Sequence, residues 1–151
     1  MSEINEIVAS WRSHRNVLLS LLKDARTEHL GLKPWENAMS LSELVLHIVG
    51  AMDMFGRLVK NGAYTKGEGS EPVGTADELR ARVSARTDES EAILRSLTPD
   101  QLEATLDFFG AKLTGRQLLR RAIDHEIHHK GQLFVYLRMA GVESLPMFME
   151  K

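Results

Sequence analysis

Apolar residues recur at steps of three and four along most of this chain, the period of helices that each turn one face inward. The first such segment runs from about Glu3 to Glu28, with Ile4, Ile7, Val8, Trp11, Leu18 and Leu22 as its stripe and Ser2 as N-cap. Residues 29–39 contain Gly31 and Pro34 and read as a connection. Ser40-Leu-Ser-Glu43 is a capping-box pattern that opens a second helix, whose stripe is Leu41, Leu44, Ile48, Met52, Phe55 and Val59 and which stops before Asn61-Gly62. Residues 61–74, with four Gly and one Pro, form a connection long enough to be mobile, functional or crossing the bundle. A second capping box, Thr75-Ala-Asp-Glu78, starts a third helix that runs to about Leu97. Its apolar face (Leu79, Val83, Ile93, Leu94, Leu97) is thin, so one side is expected in water. Thr98-Pro99-Asp100-Gln101 begins one short helical turn, and residues 104–113 have no clear period and are read as extended. The longest pattern spans about Thr114 to Ala140 and ends at Gly141, with Pro146 preventing continuation. The expected fold is all-α, a four-helix bundle with long connections.

Composition narrows the chemistry. The 151 residues, 43% of them hydrophobic, suit one domain over 1–151 with a substantial core. The absence of Cys excludes disulfides, thiolate metal sites, iron–sulfur clusters and a cysteine nucleophile of the chain's own. With 19 basic and 21 acidic side chains and no basic block, the chain does not suit electrostatic nucleic-acid binding. Arg80, Arg82, Arg86 and Arg95 interleave with acids and are read as a solvated face. The acidic start, Met1-Ser-Glu-Ile-Asn-Glu6, carries no basic flank or apolar h-region, and Leu44–Met54 is too short to span a bilayer. A soluble, cytoplasmic protein is expected. The seven Met, among them Met52, Met54, Met147 and Met149, are read as core filling.

Any metal must therefore be held by His, Asp or Glu, and three of the six histidines fall within His125-Glu-Ile-His-His129. On a helix, residues four apart project about 40° apart, so His125 and His129 lie side by side while His128 turns about 60–100° away. The inward stripe of this segment is Leu119, Ala122, Glu126, His129, Leu133, Tyr136 and Ala140. His129 lies on it and His125 beside it, with Leu118 and Gln132; His128 follows Arg121 and Asp124 outward. Two imidazoles are too few for a metal site, and a third ligand must come from His14, His29 or His47. His47 is the best placed, mid-helix beside the apolar face of the second segment. Glu126, a carboxylate on a core stripe, needs a partner: either a ligand histidine that it orients or a cation in a buried ion pair.

Other motifs are weak. His125-Glu-Ile-His-His129 matches the H-E-x-x-H of zinc proteases, but Gln132 and Val135 stand where the extended form wants Gly and His. The glycines at 62, 67, 69 and 74 form no phosphate-binding fingerprint, and no serine lies in a nucleophile elbow.

Met39-Ser-Leu-Ser-Glu-Leu-Val-Leu-His47-Ile and His125-Glu-Ile-His-His129-Lys-Gly-Gln132-Leu, together with Trp35, Tyr136-Leu-Arg-Met-Ala-Gly141 and Pro146, resemble the DinB/YfiT-like family of metalloenzymes. That family is not the translesion DNA polymerase. The resemblance covers essentially the whole chain. It implies a four-helix bundle with a connectivity other than simple up-and-down, and a divalent metal, zinc or nickel, on His47, His125 and His129. It also implies a homodimer. His128 matches a frequent family histidine that is not a ligand, and Lys130 stands where Arg is common, keeping the charge without the planar fork.

Three neutral imidazoles leave metal positions open to water or substrate. The functional expectation is a metal-dependent transferase, isomerase or hydrolase acting on a small molecule. A low-molecular-weight thiol is one candidate substrate, as some relatives use such thiols, and Glu126 would orient a ligand. The alternative is a non-catalytic bundle whose metal is structural or whose role is to bind a partner; a structural site would be closed by four protein ligands.

Overall fold

Each long helix begins where a side chain can take up the backbone N–H groups that the first turn leaves free. The computed structural model describes residues 1–65 and 71–150. Helix α1 (Glu3–Leu21) is capped by Ser2, α2 (Leu41–Asn61) by the reciprocal Ser40/Glu43 box, and α3 (Ala76–Arg95) by Thr75. The single turn α4 (Pro99–Glu103) and the long α5 (Gly115–Met139) open with Thr98/Gln101 and Thr114/Gln117 boxes. Between α4 and α5, β1 (Thr105–Phe108) and β2 (Ala111–Thr114) pair antiparallel, Thr105 opposite Thr114 and Phe108 opposite Ala111. The two residues of their turn, Phe109 and Gly110, both have positive φ (51° and 88°), as a tight hairpin requires. The glycines at 67 and 69 lie outside the described residues.

The first helix is shorter than its sequence pattern suggests. It stops at Leu21, and the chain continues in two 3-10 turns, Leu22–Asp24 and Thr27–His29. The apolar period persists there because Leu22, Ala25 and Leu30 still feed the core, although the backbone has left the helix.

α2 packs against α3 and α5, and α1 also packs against α3 and α5. The consecutive helices α1 and α2 are thus not principal neighbours, which explains the length of the connection between them and gives the bundle its non-simple connectivity. Gly115, the first residue of α5, is where the helix meets α4 and α2 most closely. A Cβ there would lie 2.3 Å from the Gln101 carbonyl oxygen and 2.9 Å from Val59. No helix among the described residues is long and apolar enough to cross a membrane.

The core has two apolar parts, separated along the bundle axis by a polar layer. One part gathers Leu18, Leu21, Leu44, Ile48, Leu79 and Leu137; the other gathers Trp11, Met52, Phe55, Leu94, Leu118 and Ala122. Between them Arg15 (0% exposed) and Glu126 (1%) form a two-point ion pair, with Nε to Oε2 at 2.8 Å and Nη2 to Oε1 at 2.7 Å. Trp11 Nε1 also donates to Oε1 (3.0 Å), and Arg15 Nη1 donates to Thr87 Oγ1 (3.0 Å). One closed network thereby joins α1, α3 and α5. The methionines are only partly core: Met52 is buried, whereas Met147 and Met149 are exposed.

This network generates a stability prediction. Glu126→Ala leaves the Arg15 charge buried and unpaired and should cost about 3–5 kcal/mol. Arg15→Met with Glu126→Met, which removes both charges, should recover most of that loss. Urea unfolding of the two variants checks this; a loss below about 1 kcal/mol in Glu126→Ala would contradict it.

Candidate metal centre

The Ser40/Glu43 box fixes where α2 begins, and its buried positions Leu44, Val45, Ile48 and Val49 turn the helix so that His47 lies on the flank facing α5. On α5, Ala122, Glu126, Lys130 and Leu133 face inward, which leaves His125 and His129 half-buried on the flank facing α2. The three rings meet there. Their centroids lie 4.8 Å (His47–His125), 4.7 Å (His47–His129) and 4.4 Å (His125–His129) apart. Each offers one ring nitrogen, and these atoms all fall within 4.8 Å of one another. His128 is exposed and meets the His129 ring edge-on, 4.7 Å between centroids, without joining the group.

The donor set fits a divalent metal. His47 Nε2 and His125 Nε2 are 3.0 Å apart, close to the roughly 3.4 Å expected for two nitrogens bound tetrahedrally to one zinc ion. Without a metal, one of these two nitrogens must carry a proton to bond the other. His129 Nδ1 is 2.7 Å from Gln132 Oε1. An amide oxygen only accepts, so Nδ1 carries the proton and Nε2 is left as the ligating atom. His125 Nδ1 is buried with no hydrogen-bond partner.

Burial and mutual proximity favour the neutral form of His125 and His47, the state a metal ligand needs. Burial foremost, then the neighbouring His129, His47 and His128, pushes the pKa of His125 down to about 4. His47 is lowered by burial and then by His129.

The other sequence candidates lie elsewhere. His29 caps its own 3-10 turn, accepting the Arg26 N–H at Nδ1 (3.0 Å). His14 is buried on the opposite side of α5, where Lys130 Nζ donates to its Nδ1 (2.8 Å) and also to the Phe148 carbonyl. Its pKa is lowered, by burial first and then by Lys130. Glu126 requires a correction: its carboxylate oxygens are taken by Arg15 and Trp11, and it bonds to none of the three histidines. Gln132 is the side chain that orients a histidine of the group. Sequence reasoning placed Gln132 beside His125 without giving it a role, although its spacing three residues after His129 is the signal that could have assigned it.

A cleft of about 930 Å³ opens beside the triad, with His47 and His125 among its lining residues. α2 contributes Leu46, Val49 and Met54, and the hairpin contributes Phe108. Arg82 and Arg86 of α3 also line it and are half-buried, so the arginine face of this helix is only partly solvated. Tyr136 on α5 donates to the Met39 carbonyl (2.9 Å), pinning the α1–α2 connection at the rim.

The lowered pKa of His125 has a defined consequence for stability. The unfolded chain takes up a proton near pH 6.5 and the folded chain only near 4, so this group favours unfolding as pH falls through that window. Metal-free protein should therefore lose stability between about pH 6.5 and 4, and His125→Ala should show a shallower fall in urea titrations across it. Equal slopes for the two proteins would contradict the assignment.

Comparison with known proteins agrees with this architecture. The sequence model of the DinB family matches residues 1–150. The uncharacterized Bacillus subtilis protein YjoA is 38% identical over 154 residues, which cover 100% of this chain and 99% of YjoA. The crystal structure of YjoA, a DinB-like protein, superposes with a TM-score of 0.87, covering 97% of this chain and 100% of that one. A DinB-like protein from Bacillus cereus is 25% identical, with a TM-score of 0.77 over 94% of this chain and 95% of its own. A family model matched over nearly the whole chain and a relative 38% identical along its full length agree: the chain belongs to the DinB family.

Proposed function

We propose that this protein is a metal-dependent enzyme acting on a small molecule, with a divalent ion, zinc or nickel, held by His47, His125 and His129. The observation that carries the reading is the convergence of three ring nitrogens within 4.8 Å at the edge of a cleft that two of those histidines line. A structural site would be closed by four protein ligands. Here no fourth His, Asp or Glu joins the group among the described residues, and His47 is exposed. His47 and His125 line the cleft, which favours catalysis over a purely structural role.

A metal bound there supplies Lewis acidity and lowers the pKa of a water or thiol it contacts. The chain's own contribution is to position and to exclude. Gln132 fixes the tautomer of His129, and the apolar Leu46, Val49, Met54 and Phe108 exclude water from the cleft. Because the chain has no Cys, any sulfur nucleophile must arrive with the substrate. Transfer or isomerisation with a low-molecular-weight thiol, or hydrolysis by water, are the reactions this arrangement suits. The reading includes a cytoplasmic homodimer. Ile127, Val135 and Met139, spaced eight and four residues apart on the outer face of α5 and 39%, 53% and 54% exposed, support pairing of two copies.

Elemental analysis and calorimetric titration with zinc and nickel test the reading. Wild-type protein should hold about one ion per chain, and His47→Ala, His125→Ala and His129→Ala should each lose most of that occupancy. Gln132→Ala should weaken affinity by about 10–100-fold while leaving the fold intact. Wild-type occupancy in all three histidine variants would overturn the proposal. A thiol-transfer screen on the loaded protein then separates thiol chemistry from hydrolysis.

A further inference from the structure

The cleft crosses the outer face of α2, with α5 on one side and α3 on the other. α2 and α3 run side by side: Lys60 Nζ donates to the Ser96 carbonyl at 3.2 Å, and a Cβ on Gly56 would meet Ile93 Cγ2 at 3.2 Å. Carried back along both helices, that register sets Arg82 level with Leu46 and Arg86 level with Val49 and Gly50, either side of His47. All of these residues line the cleft. The cleft therefore has His47 and His125 on its α5 side and two arginines, one helical turn apart, on its α3 side.

Like charges one turn apart on a helix repel, and both arginines are half-buried, Arg86 to 18% exposure. Among their bonds, Arg86 Nη1 donates to Glu89 Oε2 (3.0 Å) and Arg82 Nη1 donates to the Glu71 carbonyl (2.8 Å). Glu71 and Glu89 are exposed, and surface pairs of this kind contribute little, so an oxyanion bound in the cleft can share or replace them. The acids that line the cleft do not oppose such an anion. Asp53 is buried and paired with Arg57, and Glu43 is engaged in the Ser40 cap at the positive end of α2.

Gly50 marks the path between the two sides. It sits inside α2, where glycine costs stability relative to alanine, yet a Cβ built there meets nothing within 4 Å. Packing therefore does not require it. Its effect is on the cleft: it lies on the exposed face of α2, about 60° around the axis from His47, and lowers the floor between arginines and histidines. Leu46, Met54 and Phe108 add apolar wall. A molecule that fits carries an oxyanion at one end and a short apolar body across Gly50.

We propose that the cleft binds small organic anions, with a carboxylate or phosphate group held by Arg82 and Arg86 and the rest of the molecule crossing Gly50 toward His47 and His125. The proposal deepens the enzymatic reading, on which the role of the far end rests; anion binding at the arginines does not depend on a metal. Arg82 and Arg86 are thus specificity-determining residues, and substrates of this enzyme are anionic.

The test titrates hexanoate, hexyl phosphate and hexylamine into chelator-treated protein, above the pH range in which histidine titrates, and follows backbone amide resonances by NMR. The anions should shift the amides of Gly50, Arg82 and Arg86, and the tighter of them should bind at least about tenfold better than hexylamine. Which anion binds more tightly distinguishes a carboxylate substrate from a phosphate one. Arg82→Gln and Arg86→Gln should each reduce the preference for anions and together erase it. Arg86→Lys should keep part of it, and Gly50→Leu, which raises the floor without touching either arginine, should weaken every probe. Circular dichroism confirms the fold of each variant. Equal binding of anions and amine to wild type, a preference unchanged by the arginine replacements, or shifts confined to other surfaces would each overturn the proposal. Titration of zinc into the same preparation keeps the two readings apart. Anion preference without metal binding removes the metal centre and leaves the anion site, whereas metal binding without anion preference does the reverse.

Discussion

The bundle is organised around one buried ion pair. Arg15 and Glu126 lie between the two apolar parts of the core, where an unpaired charge would be prohibitive, so the two side chains must meet. Meeting requires the inner face of α1 and the inner face of α5 to be held in one rotational setting, and the bond from Arg15 to Thr87 extends that constraint to α3. A pair of this kind contributes little net stability compared with apolar side chains of the same volume. Its effect here is on geometry: it fixes the register of the helices that carry the site.

The site follows from that setting. With Glu126 turned toward α1, the residues one before it and three after it, His125 and His129, are turned toward α2, where His47 waits at the flank of its own apolar stripe. The polar layer is closed on itself and takes no part in holding a ligand. The tuning of the histidines comes from local sources: Gln132 on His129, and burial and mutual proximity for His125 and His47. The Glu126 network and the histidine group therefore share α5 on different faces. The first is satisfied within the fold; the second lies beside a cleft that His47 and His125 line.

Much of this was legible in the sequence because it is local. Capping patterns at Ser40 and Thr75 marked two helix starts, although the Glu78 side chain accepts from the Gly74 N–H and does not complete the Thr75 box, and helical phase alone separated His125 and His129 from His128 and favoured His47 as their partner. Family resemblance supplied the connectivity. The features that escaped depend on contacts distant in the chain. The partners of Glu126 lie 111 and 115 residues away, so periodicity could show that the carboxylate was buried but not which neighbour it met. The 3-10 turns after Leu21 kept an apolar spacing that mimics a continuing helix, and the contact of Lys130 with His14 joins residues 116 apart in the chain.

The account is tested most directly by anomalous diffraction at the zinc and nickel edges from crystals grown with each ion. The account predicts one site, about 2.0–2.1 Å from a nitrogen of each of His47, His125 and His129, with Glu126 still bonded to Arg15 and Trp11. An ion bound elsewhere, or a Glu126 carboxylate that has left Arg15 to join the metal, would contradict it.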